Sequence, residues 1–135
     1  MAVSGRALAK RRFQSTGATH GIAMDRIAQH SNKYKVDLVL AGHDHHYERQ
    51  YPMRGGAITS GNANRYVRGA GTLYMTQGGG GKSLYDFTDP KPEKCAFREK
   101  SHGYLRVKVR RKGPLSIEAK RLDRSVMEVV EIVEK

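Results

Sequence analysis

Three histidines crowd into the segment VDLVLAGHDHHYER, residues 36–49. Neutral imidazole is the side chain proteins use most often to hold transition-metal ions. His43 and His45 stand two residues apart. In an extended stretch both rings would project to one side, roughly 6–7 Å apart along the chain. That spacing lets each reach one of two metal ions lying about 3.5–4 Å apart. Asp44 would then point the other way, where it could hold a ligand histidine through its second ring nitrogen. His46, beside the pair, is a candidate for contact with substrate. Glu48 and Arg49 read as a mutual pair that fixes the loop.

Positioning such a pair requires a rigid element before it. Val36–Leu40 is a short run of branched aliphatics, suited to a strand buried on both faces, and Ala41-Gly42 breaks it. The carboxyl end of a strand in an open α/β sheet is where ligands bind, and His43 follows directly. Upstream, Ala23, Met24, Ile27, Ala28 and Tyr34 recur at three- and four-residue intervals, which predicts a helix over 22–32. Downstream, residues 52–71 are rich in Gly, Asn and Arg and read as a long surface loop. Residues 72–76 (TLYMT) read as the next strand, and the glycines at 78–81 force a loop after it. Asp89-Pro90-Lys91-Pro92 marks an exposed turn. Sheet candidates follow at 104–109, 115–119 and 126–133, the first two joined by a hairpin at Gly113-Pro114. The fold class is therefore α/β, with this order of elements consistent with half of a mixed α/β sandwich.

The chain has 135 residues, enough for one domain with a real core. One cysteine, Cys95, excludes an internal disulfide framework and a cysteine-only zinc site. No apolar run approaches the roughly 20 residues of a membrane-spanning helix, and the amino terminus, MAVSGRALAKRRF, has no apolar segment of the kind a secretory signal needs. We read residues 1–14 as a basic, poorly ordered segment and 15–135 as the folded part. Twenty-five Lys and Arg against 13 Asp and Glu give a net charge of +12, which favours anionic partners. Nucleic acid is not the expected one, because aromatics are not interleaved with the charge as a stacking platform needs.

Taken in context, the histidine segment resembles the last metal motif of the calcineurin-like metallophosphoesterases, and within them the purple acid phosphatase branch, where it has the form GHxHxYER. Gly42, His43, His45, Tyr47, Glu48 and Arg49 all match. GTLYMTQGGGG (71–81), FREKSHGYLRVKV (97–109) and LDRSVMEVVEIVEK (122–135) resemble the strands that follow it, so the similarity covers roughly residues 15–133. This resemblance implies the C-terminal half of a metallophosphoesterase mixed β-sandwich flanked by helices. It implies His43 and His45 as ligands of two divalent or trivalent ions, iron with zinc, manganese or iron, with Asp44, Tyr47, Glu48 and Arg49 behind them. It also implies a phosphate-ester substrate, attacked by a metal-activated hydroxide. Relatives are often secreted.

The family's earlier ligand motifs have no convincing copy here: an Asp-x-His, a Gly-Asp pair, a Gly-Asn-His-Glu-like turn and one further ligand histidine. Gly61-Asn62 is followed by Ala63 and sits on the wrong side of GHDH. His20 lies 23 residues before His43, near where the family places a ligand or an active-site acid, but its neighbours do not form a strand. His30 reads as solvated and His102 as a packed strand-edge residue. The glycine loop with Lys82-Ser83 lacks P-loop spacing and reads as a turn near the metal edge. The basic run 98–112 reads as a strand's solvated face. Two neutral imidazoles cannot offset the charge of two ions. The chain alone is thus expected to be inactive and to capture at most one weakly held ion. Open strand edges would favour self-association or a partner that completes the sheet. The competing class is a non-catalytic basic module that binds anionic polymers or such a partner.

Overall fold

A computed structural model describes residues 18–61, 64–87 and 90–135, with side chains from residue 26 onward. The basic segment 1–14 lies outside the described residues. Helix α1 spans Ala18–Lys33. It ends in a left-handed residue, Lys35 at φ 48°, with the Val36 amide donating back to the Ser31 carbonyl at 2.9 Å. This closing turn satisfies the helix's last carbonyls and reverses the chain into the first strand.

Among the described residues ten strands follow: β1 (Leu38–Ala41), β2 (Tyr47–Gln50), β3 (Met53–Arg54), β4 (Ala57–Ile58), β5 (Arg65–Val67), β6 (Leu73–Gln77), β7 (Cys95–Glu99), β8 (Gly103–Lys108), β9 (Leu115–Arg121) and β10 (Val126–Val133). They form two four-stranded sheets, in the orders β1-β6-β2-β7 and β5-β10-β9-β8, and a small β3-β4 hairpin. Each large sheet is mixed: β1 runs parallel to β6 and β5 parallel to β10, and the remaining pairs are antiparallel.

The core lies between the two sheets. Leu73 and Met75 of β6 and Tyr47 of β2 meet Leu115, Ile117 and Ala119 of β9, Val130 and Ile132 of β10, and Tyr66 of β5. Strand β9 shows the strict period of two that a one-sided sheet demands, with Leu115, Ile117 and Ala119 buried and Ser116, Glu118 and Lys120 turned outward. Each fully buried aliphatic contributes about 1.5–3 kcal/mol.

One polar group crosses this apolar interior. Alternation along β10 puts Glu128 on the inward face with Val130 and Ile132, and a register shift between Val126 and Glu128 leaves Val126 outside. Arg49, 2% exposed, meets it with two parallel bonds, Nε to Oε1 and Nη2 to Oε2, both 2.8 Å. The Tyr47 hydroxyl donates to Glu128 Oε1 at 2.6 Å, and Arg49 Nη1 donates to the Tyr66 hydroxyl. Burial opposes the charge on Arg49, but its bonds to Glu128 outweigh this and hold its pKa above the ordinary value. Burial, reinforced by Glu128, pushes the Tyr47 phenol upward, so it remains a donor. A second, half-exposed bridge spans the sheets between Glu99 of β7 and Arg121 of β9, again bidentate at 2.7 Å.

Several expectations change. Glu48 and Arg49 are not a mutual pair: alternation along β2 sends Arg49 into the core and Glu48 to the opposite face. Residues 52–71 are no structureless loop, because Gly55 and Gly56, at φ 58° and 81°, make the tight turn of the β3-β4 hairpin and β5 joins β10. Strand β1 is only half-buried along its length, as an edge strand. The basic run 98–112 divides between two sheets, Arg98 in β7 and Arg106 and Lys108 in β8, where both pair with Glu118. The α/β sandwich and the β8-β9 hairpin stand as expected, with a single helix among the described residues.

Because a buried ion pair broken on one side leaves an uncompensated charge, Arg49→Leu and Glu128→Leu should each destabilise the chain by about 3–5 kcal/mol in urea unfolding. The double Arg49→Leu/Glu128→Leu variant should lose far less than the sum of the two. Additive losses would show that the pair is not coupled.

Candidate metal-ligand site

The histidines lie where β1 ends and β2 begins, at the same end of the first sheet as the carboxyl end of β6. They are not on an extended stretch. His43 adopts φ 83°, and the His46 amide donates to the Asp44 carbonyl at 2.8 Å, closing a three-residue turn centred on His45. The same-side projection expected for His43 and His45 therefore gives way to a tight bend. His43 is exposed and His45 half-buried.

The bend is held against the loop after β6. Gly78 donates to the His46 carbonyl at 3.3 Å, and a Cβ at Gly78 would come within 2.1 Å of the Asp44 carbonyl oxygen. Only glycine permits that approach. Gly79 is buried against the Ser101 carbonyl, and His102 reaches the Gly79 carbonyl through Nδ1 at 3.1 Å. The first two glycines of the run are thus packing residues, whereas Gly80 and Gly81 face open space. Farther along, Ser83 accepts from His45 Nδ1 at 2.7 Å and the Tyr85 ring stacks on His45. The second-nitrogen contact expected from Asp44 is made for His45 by the Ser83 carbonyl instead.

His46 turns away from the bend. It is 8% exposed, its ring 4.8 Å from that of Phe87 and its Nε2 3.7 Å from Glu48 Oε2. Glu48 faces the same side and lies opposite Arg98, whose guanidinium covers the Phe87 ring at 4.4 Å. Burial raises the Glu48 pKa; Arg98 lowers it and Asp44 raises it by lesser amounts. Tyr47 and Arg49 belong to the core lock described above, and Cys95 is buried, its thiol pushed up to about 11 chiefly by that burial. His20 falls in the first turn of α1, and its side chain lies outside the described residues. His30 is exposed, bonded to the Arg26 carbonyl.

Sequence reasoning missed Glu128, Tyr66 and Tyr85; it put Ser83 in a turn near the histidines without its contact to His45. Glu128 could be suspected because, unlike Glu131, it shares the period-two face of Val130 and Ile132; Tyr66 and Tyr85 carry no local signal.

Among the described residues no three of His, Cys, Asp and Glu gather into a ligand cage. Two metal ions require anionic donors as well as imidazoles. The donor set fits a share of such a centre, two neutral nitrogens, and not the whole of it.

Two mixed sheets with histidines at a strand's carboxyl end are consistent with the sandwich that the sequence resemblance implies. Residues 71–128 match the family model described as iron/zinc purple acid phosphatase-like protein C, which begins after the histidine bend. Over 76 residues the chain is 38% identical to an Arabidopsis thaliana protein named probable inactive purple acid phosphatase 1, covering 56% of this chain and 12% of that one. It is 42% identical over 85 residues to Fe(3+)-Zn(2+) purple acid phosphatase 12 of the same plant, covering 58% and 18%. It is 40% identical over 83 residues to phosphoenolpyruvate phosphatase of Allium cepa, covering 58% and 17%. The fold matches a purple acid phosphatase from yellow lupin (Lupinus luteus) seeds with a TM-score of 0.75 at 27% identity, over 81% of this chain and 19% of that one. Over these stretches the chain is similar to the C-terminal portion of purple acid phosphatases. It spans less than a fifth of the length of each of these relatives.

Glu48 offers a test of the bend's surroundings. A carboxyl whose folded pKa lies above its ordinary 4.5 contributes most when protonated, and that contribution is lost as pH rises through the folded value. Glu48→Gln should therefore raise the urea midpoint at pH 7, with the gain vanishing below about pH 4.5. A gain of equal size at both pH values would mean that burial does not raise the Glu48 pKa.

Proposed function

We propose that this chain carries the C-terminal share of a two-metal phosphatase centre, with His43 and His45 as neutral ligands. The reading is carried by one observation: at a strand's carboxyl end, His45 has its Nδ1 committed to a backbone carbonyl and its Nε2 left as the donor, beside the exposed His43. In a complete centre the ions would activate a hydroxide and neutralise charge on the phosphoryl oxygens of a phosphate ester. The basic surface favours an anionic substrate of that kind. The anionic donors such a centre needs are lacking among the described residues, so the isolated chain is inactive and holds at most one ion weakly. A partner segment that supplies them would also pair with β1, which is an edge strand among the described residues and whose aliphatic run is left half-covered.

A second reading, a non-catalytic module that binds anionic polymers, draws support from the β8-β9 hairpin. Arg110, Arg111 and Lys112 are exposed at its tip, next to Arg106 and Lys108.

With iron, zinc or manganese added, the chain should hydrolyse an aryl phosphate no faster than the metal blank. Calorimetry should find a single weak zinc site that both His43→Ala and His45→Ala abolish. Metal-dependent turnover that requires His43 would show that the site is complete. Unchanged zinc binding in both variants would remove the histidines from the ligand role. Retention on heparin with a steep salt dependence, indifferent to either substitution, would favour the polymer-binding reading.

A further inference from the structure

His45 is gripped from three sides by residues 83–85. Its ring Nδ1 lies 2.7 Å from the Ser83 carbonyl oxygen. Its own carbonyl accepts the Tyr85 amide at 3.0 Å. The Tyr85 ring lies on its ring, centroids 4.2 Å apart and planes inclined by 18°. These contacts constrain different things: the backbone bond fixes the peptide, the ring bond fixes which edge faces Ser83, and the stack fixes the plane of the ring.

The first of them decides a chemical question as well. A carbonyl oxygen has lone pairs only, so a contact of 2.7 Å requires the proton to be on Nδ1. Neutral imidazole has a single ring proton, which leaves Nε2 bare with its lone pair directed away from Ser83. The nearest carboxylate in sequence, Asp44, does not make this bond, and Tyr85 is 45% exposed, so its stacking on His45 is not forced by burial in the core. The loop returns over the bend because Gly78 lets the backbone pass against Asp44.

We propose that Ser83 and Tyr85 form a clamp that holds His45 in the Nδ1-protonated tautomer, so that Nε2 is its one donor nitrogen. Both are positioning residues acting through His45. The clamp deepens the ligand reading above, and its functional meaning rests on that reading; its geometry does not.

The tautomer can be read without any metal, by long-range 15N–1H correlation of the labelled chain at a pH well above the ordinary histidine value of about 6.5. His45, identified by the signals lost in His45→Gln, should show Nδ1 protonated and Nε2 bare. Tyr85→Phe, which keeps the stack, should leave this pattern unchanged. Tyr85→Ala should convert it to the averaged shifts of two exchanging tautomers. The clamp is overturned by averaged or Nε2-protonated shifts in the unsubstituted chain, or by a Tyr85→Ala pattern identical to it. Amide spectra check that each variant is folded; should Tyr85→Ala not be, the unsubstituted and Tyr85→Phe chains still decide. Zinc added to the same samples separates the two claims, since an intact Nδ1–H signature with no zinc-induced shift at Nε2 upholds the clamp and overturns the ligand role.

Discussion

The structure depends on the buried contact of Arg49 with Glu128. The two sheets meet across aliphatic side chains, and such contacts are non-directional: they reward area without fixing how one sheet is set on the other. The guanidinium–carboxylate fork supplies direction, because two parallel bonds of 2.8 Å tolerate little sliding or rotation. Tyr47 and Tyr66 complete it from β2 and β5, leaving both carboxylate oxygens and all three guanidinium nitrogens bonded. Arginine suits the place better than lysine would, since only the planar fork can meet both oxygens while also reaching Tyr66.

This lock reaches the histidines through chain continuity. Tyr47 and Arg49 are alternate residues of β2, and β2 starts immediately after His46. Anchoring their side chains to β10 fixes the first residue of β2, and with it one end of the bend. The other end is fixed by β1, paired along its length with β6. Between these anchors only five residues remain. Their path is set by a left-handed His43, a turn at His45 and the glycine that lets the β6 loop approach. The half of the motif that looks chemical is placed by the half that looks merely polar.

Much of this was legible in the sequence. The bounds of β10, the β8-β9 hairpin, the strand before the glycine run and the family itself could all be read, because period-two alternation, Gly-Pro turns and a dense local motif are short-range signals. What escaped reading was long-range. The sequence YERQ does not look like a strand, since its inward residues are a tyrosine and an arginine, and arginine belongs to a core only when a partner is there. That partner lies 79 residues away, on the inward face of β10. The basic run 98–112 reads as one strand's face for a related reason: its charges lie close in sequence, yet Lys100 to His102 carry the chain from one sheet to the other. At the site, the expectation of an extended His-x-His failed because His43 takes a backbone conformation unusual for a residue with a Cβ. The contacts of residues 83–85 depend on how a loop returns, which no spacing encodes.

These two kinds of role within a single motif mean that loss of activity alone says little about any of its residues. Removing Arg49 or Tyr47 releases the start of β2 and would blur the histidine bend even though neither side chain faces it. Removing the His43 ring, which is exposed and makes no contact that the core requires, leaves the lock untouched. Stability therefore sorts the motif where activity cannot. A residue that lowers the unfolding free energy belongs to the joint between the sheets, whereas one that leaves it unchanged and alters metal affinity belongs to the chemistry. On the proposed reading, in which His43 and His45 supply neutral nitrogens, this distinction has added weight. The nitrogen positions they would supply are set by the fold and are kept only while the two sheets remain in register.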